Sequence, residues 1–312
     1  MDRLTENKLV LITRRTRLDD LISRFNTIDQ AKFYVEHLGA DFSDYRIEDE
    51  TYKNAVQVTA RTLERLGRLQ VIDRAFVPNF IFGPEDTVIA LGQDGLVANV
   101  LKYLDGQKLL GVNPDPARWE GVLLPFQVGH LFKVLPEVFA GQRAIRSITM
   151  AEARLNTGEI LRGVNDIFVG PRTHTSARYS IRLGDRIENQ SSSGIIVSTG
   201  LGSTGWLRSV IAGATGIAAS LSGRPVQPAD AGAPNWEAEQ LVFSVREPWP
   251  SKTSSAGIVY GRITPAKPLR LVSQMPEHGV IFSDGIEADY LQFNSGTQAT
   301  ISLSARKGRL VT

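Results

Sequence analysis

The chain has no cysteine among its 312 residues. That excludes disulfides, thiolate metal centres and a cysteine nucleophile, and it fits a reducing compartment. Long apolar runs are missing too, since no stretch approaches the roughly 20 uninterrupted apolar residues of a membrane-spanning helix. The opening residues, MDRLTENKLVLITRR, put Asp2 and Glu6 ahead of a short apolar run. A secretory signal has a basic start and a longer apolar core, and a transit peptide is poor in acids, so neither fits. An excess of one charge is also absent. Lys and Arg number 35 against 33 Asp and Glu, a net charge of +2, which offers no basic face to nucleic acid and no argument for a membrane surface. The four histidines, His37, His130, His174 and His278, lack ligand spacing, so no protein-built metal site is expected. There is no G-x-x-x-x-G-K-[ST], which sets aside a P-loop. The expectation is a soluble, cytoplasmic protein whose partners are small molecules, with neither nucleic acid nor membrane among them.

Hydrophobic residues make up 42% and charged residues 22% of the chain, ordinary values for a globular protein long enough for two domains. Over roughly the first 138 residues, apolar runs alternate with helical patterns. Lys8 to Thr13, Thr87 to Leu91 and Leu109 to Val112 read as buried strands. Ile28 to Leu38, Tyr52 to Leu66 and Leu96 to Leu104 carry helical spacing. Such alternation predicts an open α/β sheet. From about residue 139 the chain becomes β-rich. A hairpin is expected over Ile145 to Arg162, and strands at Asp166 to Val169, Ala177 to Leu183, Ile195 to Ser198, Gln240 to Val245, Leu269 to Val272 and Ala299 to Leu303. One helix is expected from Ser203 to Leu221, then a Pro- and Gly-rich loop over 222–236. The reading is therefore α/β plus all-β: a domain over 1–138 and a β-sandwich-like domain over 139–312, whose last segment can pack back on the first.

Two glycine junctions carry the chemistry. VSTGLGSTGW, residues 197–206, contains Gly200, Gly202 and Gly205 as G-x-G-x-x-G between an expected strand and an expected helix. A Rossmann fingerprint belongs in the first βα unit, with an acidic residue about 20 positions on. Here the motif lies in the β-rich half and GRPVQPAD follows instead, so that reading fails on context. Its physics persists. Unpaired N–H groups at a helix start suit phosphate, and Ser198, Thr199, Ser203 and Thr204 add hydroxyls. A plain tight turn with Ser203 as N-cap is the alternative. The second junction, ALGQDGLVANVLKYL over 90–104, sets Asp94 between Gly92-Gln93 and Gly95 at the end of an expected parallel strand. Open α/β sheets place ligands there. A carboxylate at that point can serve a substrate hydroxyl as base, help hold a cation beside phosphates, or simply cap the helix that follows.

Taken together and in this order, the motifs resemble those of the NAD kinases. Gly92-Gln93-Asp94-Gly95 is similar to that family's Gly-Gly-Asp-Gly turn, Val164-Asn165-Asp166 to its Asn-Glu pair, residues 192–206 to its nucleotide loop, and Phe282-Ser283-Asp284-Gly285 to its late Asp-Gly turn. GVNPDPARWEG (111–121), NDIFVG (165–170) and FSVREP (243–248) resemble the divergent branch that includes the mitochondrial NAD kinase. The resemblance implies transfer of the γ-phosphoryl group of ATP to the 2′-hydroxyl of the adenosine ribose of NAD(H). It implies Asp94 as the catalytic group, with Asn165 and Asp166 on ribose hydroxyls. Gly92, Gln93, Gly95, Asn113, Ser198, Thr199, Gly202, Ser203 and Thr204 would serve as binding residues. It further implies Mg²⁺ carried by ATP and a homodimer or larger oligomer. A kinase acting on another hydroxyl substrate (sugar, nucleoside or lipid) and a catalytically silent NAD(P)-binding protein are the alternatives.

Departures from the family pattern frame what the structure must answer. Gln93 stands where a glycine would allow positive φ, and its side chain either substitutes as a donor or obstructs the turn. Asp166 is one methylene shorter than glutamate, Gly200-Leu201 replaces a Pro-Thr pair, and Trp206 replaces a tyrosine. Arg118 either meets a phosphate or stays solvated. The run Arg14, Arg15, Arg17 reads the same two ways.

Overall fold

The computed structural model describes residues 3–226 and 235–312. The chain divides into two compact units, residues 1–146 with 308–312, and residues 147–307.

The first unit is a parallel sheet built on the apolar runs. Its strands are β1 (Lys8–Thr13), β2 (Arg68–Asp73), β3 (Thr87–Leu91), β4 (Lys108–Asn113) and the short β5 (Phe126–Gln127). They pair in the order β2-β1-β3-β4, with β5 beside β4, all parallel. All five residues of β3 are buried, as expected of a central parallel strand covered on both faces. Its helices are α1 (Arg17–Phe25), α2 (Ile28–His37), α3 (Phe42–Leu66), α4 (Asp94–Leu101) and α5 (Leu131–Phe139). Tyr52, Ala55 and Leu63 of α3 and Leu131, Leu135 and Val138 of α5 share one core with Leu9, Leu11, Ile89 and Leu91 of the sheet. The four-residue stride of a helix thus meets the two-residue stride of strands, and the parallel strand C-termini, with the Gly92 turn after β3, lie along one edge.

The second unit is a sandwich. Its strands are β6 (Ile145–Leu155), β7 (Ile160–Gly163), β8 (Asp166–Pro171), β9 (Ala177–Leu183), β10 (Arg186–Ser192), β11 (Ile195–Ser198), β12 (Leu241–Val245), β13 (Tyr260–Ile263), β14 (Leu269–Ser273), β15 (Gly279–Ser283), β16 (Ile286–Gln292) and β17 (Gln298–Val311). One sheet runs β13-β12-β11-β8-β15-β16, all antiparallel, and β10-β9-β14-β17 forms the other. Ile167, Val169, Val197, Phe243 and Ile281 of the first sheet share a core with Tyr179, Ile181, Leu271 and Ile301 of the second. Side chains alternate along a strand. Asp166, Phe168, Ser198 and Phe282 therefore point to the opposite, outer face of the first sheet. The expected sandwich-like character is what the packing shows.

Helix α6 (Trp206–Ser222) follows the nucleotide-loop candidate, but not from Ser203. Residues Gly202–Thr204 form a separate 3₁₀ turn, and Gly205 is the N-cap with no side-chain hydrogen bond. The Ser203 hydroxyl bonds back to the Gly200 carbonyl at 2.8 Å instead of capping. Of the loop expected over 222–236, residues 227–234 lie outside the described residues.

Candidate functional site

In the first unit, the end of β3 turns through Gly92 and Gln93 into α4. Gln93 adopts φ −107° and ψ 165° as the N-cap of α4. This is extended backbone open to any residue, so no steric penalty arises there. Asp94 is the first residue of the helix and does not cap it. Its carboxylate accepts the Leu123 N–H at Oδ1 (2.7 Å) and the Val122 N–H at Oδ2 (3.2 Å). One bond falls on each oxygen, and each keeps a lone pair for a further donor.

Asn113, at the end of β4, is buried and already used: its Nδ2 donates to the Trp119 carbonyl at 2.8 Å and its Oδ1 accepts the Asp115 N–H at 3.0 Å. It shapes the loop rather than pointing a free amide outward. Arg118 is neither solvated nor free for a phosphate. Its guanidinium grips Asp44 of α3 at 2.5 and 3.2 Å, and its Nε lies 3.5 Å from Asp115. The arginine run is likewise engaged. Arg14 is nearly buried, stacks over the Tyr52 ring at 4.7 Å and pairs with Glu48 at 3.0 Å. Arg17 bonds both Glu48 and Asp44, and Arg15 pairs with Asp20. Arg15 and Arg17 are both exposed, Arg17 while holding two carboxylates. Tyr52 had not been singled out. Its hydroxyl accepts the Arg14 N–H (2.8 Å) and donates to the Leu91 carbonyl (3.0 Å), tying the ends of β1 and β3 just before Gly92. Burial pushes this phenol up to about 12, so it stays a donor at any physiological pH.

In the second unit, three of the four motif segments come together. Asp284, at φ 54°, aims its carboxylate at the backbone preceding β8. It accepts N–H groups from Val164 (3.0 Å), Asn165 (2.6 Å) and Asp166 (3.2 Å), a compact anion nest. Thr199 is fully buried and locks the loop onto the same segment. Its hydroxyl donates to the Val164 carbonyl at 2.5 Å and accepts from Leu201 and Gly202, while its own N–H meets the Asn165 carbonyl at 2.9 Å. Gly202 is required by contact: a Cβ there would stand 2.1 Å from the Asn165 carbonyl oxygen. Ser198 pairs directly across from Asp166 in the sheet. Thr204 is exposed, and no described residue bonds its hydroxyl or the Asn165 amide, so both are available to a ligand. The Asp166 carboxyl is pushed up to about 7, first by burial and then by the Asp284 charge, against a lowering hydrogen bond from Ser198. Its Oδ1 is buried with no hydrogen-bond partner among the described residues.

Beside this cluster lies a pocket of about 320 Å³ that the sequence did not reveal. Phe168 and Trp206 stack at 5.7 Å, Phe168 and Phe282 lie 4.9 Å apart, and Arg246 sits over the Trp206 ring. The signal was present as aromatic residues two positions from Asp166 and Asp284, Phe168 on the same strand face as Asp166.

No family model matches the chain. Two curated proteins do match part of it. The NAD kinase of Caldanaerobacter subterraneus subsp. tengcongensis is 31% identical over 136 residues, 41% of this chain and 47% of that one. The NAD kinase of Chlorobaculum tepidum is 28% identical over 124 residues, 39% of this chain and 43% of its own length. The alignments thus span less than half the length of the curated relatives. Solved structures extend the likeness along nearly the whole chain. An NAD kinase from Archaeoglobus fulgidus in complex with ATP aligns with TM-score 0.55 at 16% identity, covering 98% of this chain and 93% of that one. Over part of its length the chain is similar in sequence to NAD kinases, and along nearly all of it in fold. The yeast NADH kinase complexed with NADH carries the same NAD kinase fold, with TM-score 0.57, 14% identity and coverage of 99% and 84%.

Proposed function

We propose that this protein is an NAD kinase, transferring the γ-phosphoryl group of ATP to the 2′-hydroxyl of the adenosine ribose of NAD(H). The observation that carries the reading is the second-unit cluster, where Asp284 and Thr199 fix Val164-Asn165-Asp166 against the glycine loop. Three motifs that match NAD kinases one by one also pack as one piece, which separate coincidences would not produce.

The candidate residues of each unit then have a task. Asp94 orients the acceptor hydroxyl through the lone pairs that Val122 and Leu123 leave open, and takes its proton as the bond to phosphorus forms. Asn165 offers its unbonded amide, and Asp166 its unpartnered oxygen, to ribose hydroxyls. Ser203 and Thr204 stand at the loop that receives nucleotide oxygens. The pocket lined by Phe168, Trp206 and Arg246 has the planar faces and positive charge that a base and its phosphate need. Phosphoryl transfer asks the protein mainly for positioning and charge stabilisation. No group of three or more His, Cys, Asp or Glu side chains poised to hold a metal occurs among the described residues. Mg²⁺ carried by ATP would neutralise charge on the phosphates.

The reading extends to a cytoplasmic homodimer. The absence of cysteine supports the compartment. The exposed Ile217 and Leu221 of the largely apolar α6 supply surface for association. Both curated relatives are NAD kinases, which favours this acceptor over another hydroxyl or a silent binding role. The test is NADP formation from NAD, ATP and Mg²⁺ in an assay coupled to an NADP-specific dehydrogenase, with Asp94→Asn alongside. Turnover by the unchanged chain, lost in the variant while nucleotide still protects against unfolding, is expected. Near-full activity in Asp94→Asn would remove the base assignment.

A further inference from the structure

We infer that the Arg118–Asp44 ion pair is a positioning device for Asp94, acting through the loop between Asn113 and Leu124. The inference rests on the NAD kinase reading for its catalytic consequence, and on geometry alone for its mechanical one.

Asp94 receives its two hydrogen bonds from backbone N–H groups at one end of that loop, Val122 and Leu123. Backbone donors go where the loop goes. What fixes the loop therefore fixes the carboxylate. The near end is pressed onto β4, where a Cβ at Gly111 would stand 1.9 Å from the Leu123 carbonyl oxygen. The far end is held by Asn113, through Trp119 and Asp115. Between them, Arg118 reaches out of the loop and clasps Asp44 with two guanidinium nitrogens, a planar fork-on-carboxylate pairing that fixes direction as well as distance. Hydrogen bonds from two guanidinium groups, Arg118 first and Arg17 second, hold the Asp44 carboxyl well below the usual carboxylate range.

Asp44 is not an isolated partner. It lies four residues before Glu48 on α3, on the same helical face. Glu48 is buried and takes Arg14 and Arg17, and Arg17 also bonds Asp44. The stem of Arg14 runs beside the other flank of the catalytic turn, its Cδ 3.7 Å from where a Gly92 Cβ would be. One turn of α3 thus anchors both flanks of Gly92-Gln93-Asp94, through Arg14 on one side and through Arg118 and its loop on the other. An ion pair with one exposed partner, here Asp44, contributes little stability as a rule. A role in aiming a carboxylate accounts for a bidentate pair at this place better than stability does.

The experiment compares the full chain with Arg118→Ala, Arg118→Lys and Asp44→Asn, by amide hydrogen exchange and by steady-state kinetics. Protection of the Val122 and Leu123 amides should fall at least about tenfold in Arg118→Ala, with the β1, β3 and β9 amides unchanged. The kcat should fall on the order of 10–100-fold, with KM for NAD and for ATP moving less than about threefold, because a displacement near 1 Å is enough to spoil alignment. Adding Asp94→Asn to Arg118→Ala should cost less than the two single losses combined, the mark of residues acting on one function. Arg118→Lys keeps the charge but not the fork and should recover only part of kcat. If Arg118→Ala does not fold, Arg118→Lys and Asp44→Asn carry the same measurements. Unchanged protection at Val122 and Leu123 overturns the inference, as does full additivity with Asp94→Asn. A wild-type chain that forms no NADP removes the kinase reading instead, and the exchange data then still decide whether the pair holds the loop.

Discussion

Asp284 accepts the Asp166 backbone N–H at 3.2 Å, and the negative charge it brings adds to burial in raising the Asp166 side chain to about 7. The nest that shapes the Asn165-Asp166 segment thereby disfavours ionisation of one of its own members. On the proposed function, ribose binding at Asp166 would fall in the pH range where this carboxyl changes state.

That relationship predicts a stability profile. A carboxyl whose folded-state value lies above its unfolded value contributes stability fully present below about pH 4, and loses it as pH rises through about 7. Asp166→Asn, a neutral isostere, should match wild type near pH 4 and exceed it at pH 8 by on the order of 2–4 kcal/mol in denaturant melts. A constant difference between the variants from pH 4 to pH 8 would contradict the raised value. The same variant should bind NAD more weakly, the trade expected of a site residue.

Gly95 offers a sharper separation of fold from site. Nothing lies within 4 Å of the position its Cβ would occupy, and it sits in the first turn of α4. Gly95→Ala should stabilise the chain by about 0.5–1 kcal/mol, the usual helix gain. If the glycine is kept for close approach of a phosphate, turnover should nevertheless fall at least about tenfold. Raised Tm with unchanged kinetics would take Gly95 out of the site.

Gly202 should behave in the opposite way. A methyl group there meets the Asn165 carbonyl at 2.1 Å, so Gly202→Ala must push the glycine loop off β8. A loss of about 1–3 kcal/mol in stability is expected, with nucleotide protection largely gone. Retention of full protection by ATP would mean that the loop is not what binds it.

Gln93→Gly tests the departure that the family pattern made conspicuous. Because Gln93 already holds extended backbone, glycine relieves no strain and only adds freedom to the unfolded chain. Stability should drop by about 0.5–1 kcal/mol, with kcat within a few-fold of wild type. A large gain in turnover would show that the glutamine side chain obstructs the turn.

How much was readable depended on where polarity sat. The fully buried β3, the alternating β9 and the buried β11 fell where their patterns put them, because apolar burial is written in composition. The strand β10, RIENQSS, was invisible. Its inward residues Gln190 and Ser192 are polar and are satisfied by the Tyr179 hydroxyl, a partner from the neighbouring strand that no local pattern announces. Edge strands such as β2 and β16, half exposed and mixed in composition, were missed for the same reason. Asp94 and the glycine loop stood out through spacing and family likeness, whereas Arg118, read as meeting either a phosphate or solvent, pairs with Asp44, 74 residues away, which no local pattern singles out. Likeness to the mitochondrial-type branch rests on the quoted motifs alone.

The central claim is the identity of the acceptor hydroxyl, and transfer of label from γ-³²P-ATP tests it most directly. With NAD as acceptor, the label should appear in a product that co-migrates with NADP, and 2′-deoxyadenosine NAD should yield none. Label transferred equally well to the 2′-deoxy compound, or none transferred to NAD while NAD still protects the fold, would contradict it.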